Sequence, residues 1–170
     1  MLDLFCCEGG AGMGYHRAGF DHGTAHLVPD TRAALVALGR PWLMENVPGA
    51  PLPAAVMMCG SMFGLGALCR DGRWRQLRRH RLFEHHPDIP AWPPYTCQHQ
   101  GQPVGVYGNG GGGVQNMQRG GDTYKGTKAE SVEALDVPWM SRAGVSQAIP
   151  PAYTEHLGRQ LIATIQARAA

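Results

Sequence analysis

The stretch Leu2–Gly14, LDLFCCEGGAGMG, decides the reading of the fold. Residues 2–6 are short and apolar, and glycines follow at once, which predicts a buried strand ending in a tight turn. Glycines at 9, 10, 12 and 14 let the backbone approach a ligand closely and adopt positive φ. Gly12 to Gly19 predicts a short helix carrying Met13, His16 and Arg17, and the free amides of its first turn point at whatever the loop holds. Glycine-rich turns also serve purely structural ends, so on its own pattern the loop leaves both readings open.

Outward from that loop, residues 29–39 (PDTRAALVALG) predict a helix. Pro29 or Asp30 begins it, Leu35 and Leu38 supply apolar positions, and Gly39 ends it. Residues 42–47 (WLMENV) predict a second buried strand stopped by Pro48-Gly49. Glu45 is out of place in such a run. At the carboxyl end of a strand it is placed for ligand contact, and an acid in an apolar pocket keeps its proton for donation. The alternative is an acid that caps the following turn.

Residues 54–68 are apolar and interrupted by glycine, so strand and loop cannot be separated there. Residues 80–84 (HRLFE) and 103–107 (PVGVY) predict short strands. Gly108–Gly121 predicts a mobile glycine-rich segment, and residues 128–135 a helix. Residues 150–168 form the best helix of the chain: Pro150 and Pro151 open it, and Tyr153, Leu157, Leu161 and Ile165 recur on one face.

The chain has 170 residues, enough for one domain with a real core, and 44% are hydrophobic, which excludes wholesale disorder. A formal charge of +2 does not by itself point to nucleic acid. The charge is uneven, however. Arg70, Arg73, Arg75, Arg78, Arg79 and Arg81 lie close together, either as a phosphate-neutralising surface or as a solvated hairpin. An odd number of cysteines (Cys6, Cys7, Cys59, Cys69 and Cys97) and the lack of a cationic leader predict reduced thiols in the cytoplasm. No stretch approaches the roughly 18 apolar residues that span a bilayer. His85, His86, Cys97 and His99 include metal-binding residue types, but their spacing matches no standard zinc site.

Two further segments carry chemistry. In Arg79-His80-Arg81-Leu82-Phe83, strand alternation predicts both arginines on one face, with His80 and Leu82 on the other. Paired arginines suit an anion or a base edge, or form an exposed polar face. Gln147–Tyr153, QAIPPAY, leads into the C-terminal helix.

The order of these blocks is more specific than any one of them. LDLFC with its glycine loop, ENVPGAP, CGSMFGL, RRHRLFE and QAIPPAYTEHLGRQL together resemble the cytosine-C5 DNA methyltransferases, most closely the compact phage and actinobacterial type. The matching blocks cover residues 1–21, about 29–84 and about 136–162. The resemblance implies a protein of a bacterial or phage-infected cytoplasm that transfers a methyl group from S-adenosylmethionine to carbon 5 of a cytosine flipped out of double-stranded DNA. It assigns Glu45 to cytosine N3, and Arg79 and Arg81 to the base and nearby phosphate. It assigns Phe5, Gly9, Gly10, Gly12, Met13, Gln147, Ala148 and Ile149 to the cofactor. The glutamine of the family's QxRxR motif is Leu77 here. The implied fold is α/β, an incomplete Rossmann-like domain formed by residues 1–87 and 136–170. A small variable region at 88–135 takes the place of the target-recognition region, with Trp92, Tyr95 and Tyr107 as candidate DNA contacts.

One departure bears on activity. The family's nucleophile is the cysteine of a Pro-Cys pair, and no Pro-Cys occurs in this chain. His22–His26 runs straight into the helix before ENV, so the second to fourth strands of the family are missing. With them go the catalytic loop and the acid that holds the cofactor ribose. None of the five cysteines is a natural replacement, which predicts an isolated chain without methyl transfer. The predicted gap also leaves strand edges open for a homodimer or a complementing subunit. The alternatives are a non-catalytic module that binds DNA and S-adenosylmethionine, or one half of a split enzyme.

Overall fold

The computed structural model describes residues 24–106 and 123–169. Phe5, Cys6, Cys7, Gly9, Gly10, Gly12, Met13, the predicted helix after them, Tyr107 and the whole glycine run Gly108–Gly121 lie outside the described residues. Within them the chain is mixed α/β. The order is α1 (Thr24–Ala37), β1 (Leu43–Asn46), β2 (Val56–Met58), a 3-10 turn (Gly60–Phe63), β3 (Gly66–Leu68), β4 (Trp74–Gln76), β5 (Arg81–His85), β6 (Val104–Gly105), β7 (Tyr124–Lys125), α2 (Lys128–Leu135), α3 (Arg142–Gln147) and α4 (Pro151–Ala169). No helix among the described residues is long and apolar enough to cross a membrane.

The largest sheet has the order β1-β5-β2. Strand β5 is antiparallel to both neighbours, so β1 and β2 run in the same direction. Glu45 lies opposite Phe83, which lies opposite Val56. Side chains alternate across a strand, so Leu43, Glu45, Arg81 and Phe83 share one face with Val56 and Met58. That face meets α4, where Tyr153 and Leu157 are fully buried beside Met58, Cys59, Phe83 and Ile89. Met44, Leu82 and Glu84 face the other way, toward α1. There Val28, Trp42, Met44 and Leu52 form a smaller core, and Arg32 grips Glu84 through two bonds of 2.6 and 2.7 Å. A helix thus covers each face of the sheet.

A second core gathers the β3–β4 hairpin, β6, α2 and α3 around Ala67, Leu77, Val104, Leu135, Val137 and Val145. Its helix α2 begins with a complete capping box. The Glu130 amide donates to the Thr127 hydroxyl (3.2 Å), and the Glu130 carboxylate accepts from the Thr127 amide (2.6 Å). Gly60 marks the seam between the cores. A Cβ there would sit 2.3 Å from the Leu77 carbonyl oxygen, a contact that only glycine avoids.

Several expectations are corrected. Helix α1 begins at Thr24 rather than at Pro29 or Asp30, and Pro29 lies inside it. Leu38 is exposed rather than apolar-facing, because the helix stops at Ala37 and Gly39 turns away at φ +61°. WLMENV is a strand, but antiparallel and half-buried, with Val47 exposed. Of the strand predicted at 103–107, Val104–Gly105 form β6, paired with the two residues of β7, and Tyr107 lies outside the described residues. Ile165 is exposed, so the buried stripe of α4 runs through Tyr153 and Leu157 and fades after the half-buried Leu161.

Candidate functional site

Glu45 sits near the end of β1, with Arg81 beside it at the start of β5. Arg81 Nε lies 2.9 Å from Glu45 Oε1, an ion pair between side chains only 13% and 25% exposed. The N–H is not aligned for a hydrogen bond, so this buried oxygen keeps acceptor capacity. Burial raises the Glu45 pKa above the ordinary carboxyl value, and the nearby charges of Arg81 and then Arg79 pull against that shift. The result is an acid held closer to its neutral form than a surface glutamate.

Arg79 is 1% exposed. Its guanidinium donates to the Ser146 carbonyl at 2.8 Å, at the end of α3. The Tyr153 hydroxyl donates to the Arg79 carbonyl at 2.7 Å, from the first turns of α4. The ENV segment, the RHR segment and the QAIPPAY segment therefore meet around the start of β5. Gln147 is exposed there, while Ala148 is buried in the second core and its amide closes α3 onto Gly144. Ile149 packs against the α4 core. These three residues form a packed turn with one polar side chain, and they contain no cluster of charged groups that would hold a ribose or an amino acid end.

The arginine run is not a phosphate surface as a whole. Arg75 is buried, bonded twice to Asp71 (2.7 and 2.8 Å), with its guanidinium 4.1 Å from the centre of the Tyr124 ring. The hydrogen bond from Arg75 holds the Asp71 carboxyl down to about 2. Arg78 donates to the Gly101 carbonyl. Arg70 and Arg73 are exposed, as are Trp92 and Tyr95 on the loop after β5. A groove of about 630 Å³ lined by Phe63, Tyr95, His156 and Arg159, among others, opens beside that loop and does not include Glu45.

His80 and Arg79 precede β5 rather than lying in it, so strand alternation does not place His80 with Leu82: Leu82 packs toward α1, whereas His80 lies beside Cys97 at the α4 core. Its ring joins a group of sulfur and nitrogen atoms. Cys97 Sγ lies 3.5 Å from His80 Nε2 and 3.0 Å from His99 Nε2, and Cys59 Sγ lies 3.3 Å from His99 Nε2. All four donor atoms fall within 4.8 Å of one another. His85 and His86 are not among them: His85 Nδ1 contacts the His86 carbonyl, and His86 Nδ1 lies 3.9 Å from Asp88. Sequence spacing missed Cys59 and His80 because the four residues come from three separate stretches. Only Cys97-x-His99 is a local signal.

Models of known protein families, curated proteins and solved structures were each compared with the chain, and none matches it.

Proposed function

We propose that the chain is a homologue of the cytosine-C5 DNA methyltransferases, and that the region around Glu45 receives a flipped cytosine. The observation that carries this reading is the Glu45–Arg81 pair. Two segments far apart in sequence bring a half-buried acid of raised pKa against an arginine, with a second arginine behind it. Such an acid suits a cytosine ring. Its protonated oxygen donates to N3, and its other oxygen accepts from the exocyclic amine, which a thymine cannot supply. Arg81 then faces the base or its phosphate, while Arg79 is held inward by Ser146.

The cofactor of this reading, S-adenosylmethionine, rests on the sequence Leu2–Gly14. Bound there, it supplies the methyl group. No step is assigned to Gln147–Ile149, whose packed turn offers little to hold it. The missing Pro-Cys leaves the ring without covalent activation at carbon 6, so the isolated chain binds cytosine without methylating it. In the incomplete Rossmann-like sheet of this proposal, the missing fourth strand belongs on the free side of β1. Among the described residues β1 pairs only with β5, which supports a complementing polypeptide or a second copy at that edge.

The test is fluorescence anisotropy with duplex DNA carrying one mispaired cytosine, which lowers the cost of flipping. We expect binding about tenfold tighter than to the same duplex with a mispaired thymine. Glu45→Ala should abolish that preference, and equal affinity for both duplexes in the unaltered protein overturns the reading. Tritiated methyl transfer from S-adenosylmethionine is expected to be absent, and incorporation that disappears in Glu45→Ala overturns the non-catalytic part alone.

A further inference from the structure

Cys59, His80, Cys97 and His99 play no part in holding cytosine. They bring together two sulfurs and two imidazole nitrogens from the turn after β2, the residue before β5, and the loop between β5 and β6. Tetrahedral zinc lies about 2.3 Å from sulfur and about 2.0–2.1 Å from nitrogen, which spaces neighbouring donors roughly 3.4–3.8 Å apart. The three closest pairs here, at 3.0, 3.3 and 3.5 Å, need to move only a few tenths of an ångström to reach that spacing. The donor set also selects the ion: two thiolates and two imidazoles favour zinc over magnesium or calcium, which take oxygen ligands.

The surroundings complete the arrangement. Ser61 Oγ donates to Cys59 Sγ at 3.3 Å and reaches Cys97 Sγ at 3.7 Å, and it accepts from the Gln98 amide at 3.3 Å. Hydroxyl donors of this kind stabilise thiolate ligands and fix their direction. Cys59 is fully buried in the α4 core, while His99 is exposed and gives an ion a way in. The loop from His86 to Pro103 contains no helix or strand. A metal would tie it to the start of β5.

We propose that these four residues bind one zinc ion in a closed, structural Cys2His2 site. Four protein ligands fill a tetrahedron and leave no position for water or substrate, so the ion serves architecture rather than catalysis. Its place is at His80, between Arg79 and Arg81, so it fixes the segment that carries both arginines into β5. The inference is independent of the methyltransferase reading and holds or fails separately from it.

The full chain, purified under reducing conditions and dialysed after zinc loading, should retain about one zinc per molecule by elemental mass spectrometry. Cobalt loading should give the intense visible bands of a tetrahedral site and a thiolate-to-cobalt charge-transfer band. His99→Asn and Cys97→Ser should each reduce retained zinc to below about a tenth of an equivalent. The paired His85→Asn, His86→Asn variant should keep the full amount. Ser61→Ala, which keeps all four ligands, should weaken binding about tenfold. Circular dichroism checks that each variant is folded, and the cobalt spectrum of the unaltered chain decides the matter should a variant fail to fold. Three results overturn the proposal: little zinc in the unaltered chain, full zinc in His99→Asn and Cys97→Ser, or a cobalt spectrum without the thiolate band.

Discussion

Two glutamates, one buried and one half-buried, stand in opposite conditions. Glu130, 6% exposed, starts α2 in the second core. Burial works to raise its pKa, but the amides of Thr127 and Arg70, each at 2.6 Å, and the Tyr124 hydroxyl at 3.0 Å all donate to it. The donors win and hold the carboxyl down to about 2. Glu45, beside the start of β5, has Arg81 at 2.9 Å, and there burial wins. A carboxylate saturated with donors is finished as a structural part. A carboxyl with unfilled acceptor capacity and a raised pKa is available for a ligand.

The comparison breaks first at Glu130. Glu130→Ala strips two backbone amides of their partner and removes the capping box, which should cost about 2 kcal/mol in urea unfolding. A loss below about 1 kcal/mol would mean that water replaces the carboxylate there. Next in size, the Tyr153→Phe change deletes the hydrogen bond from α4 to the Arg79 carbonyl, at a side chain fully buried from solvent. It should cost about 1–2 kcal/mol and loosen the Glu45 region while leaving Glu130 untouched. Hydrogen exchange at β5 and at α2 separates the two.

Acid should move the two regions in opposite directions. The folded-state pKa of Glu130 lies below its unfolded value of 4.5, so its contribution is complete above 4.5 and is lost as pH falls toward about 2. Glu45 has a folded pKa above 4.5, so its contribution is present below 4.5 and is lost as pH rises through the folded value. Urea melts across this range should show that Glu130→Gln flattens the acid-side loss of stability. Glu45→Gln should remove a small gain on acidification instead. The smallest effect is expected at neutral pH, where Glu45→Gln should change stability by no more than about 1 kcal/mol, because it trades a partly desolvated charge for an amide. A large loss would show that the ion pair is structural, and would cost Glu45 its claim as a binding group.

The two regions also differ in how far the sequence announced them. Thr127-x-x-Glu130 is a local signal, and α2 falls where residues 128–135 predict it. The proline-started α4 was equally plain. Strands β2, β3 and β4 were not, because three residues are too few to display a period of two, and glycines interrupt them. Glu45 was legible as an acid out of place, but its contact with Arg81 depends on the register of β1 against β5, which no local pattern encodes. The arginine run misled for a related reason. A charge count cannot reveal that Arg75 and Arg79 are buried and bonded within the fold. The sulfur–nitrogen cluster escaped because its members share no segment.

Gly60 separates two kinds of loss that a mutational survey would otherwise confound. It stands between Cys59 and Ser61, with the Leu77 carbonyl filling the space where a side chain would go. In a library read by cell-surface abundance, codon 60 is a sentinel for collapse of the scaffold. Codon 59 removes a buried core side chain together with a ligand of the proposed site, and codon 61 removes only the hydroxyl that contacts both sulfurs. Three adjacent codons thus grade one another, and a variant that fails at 61 alone points to the sulfur cluster rather than to the scaffold.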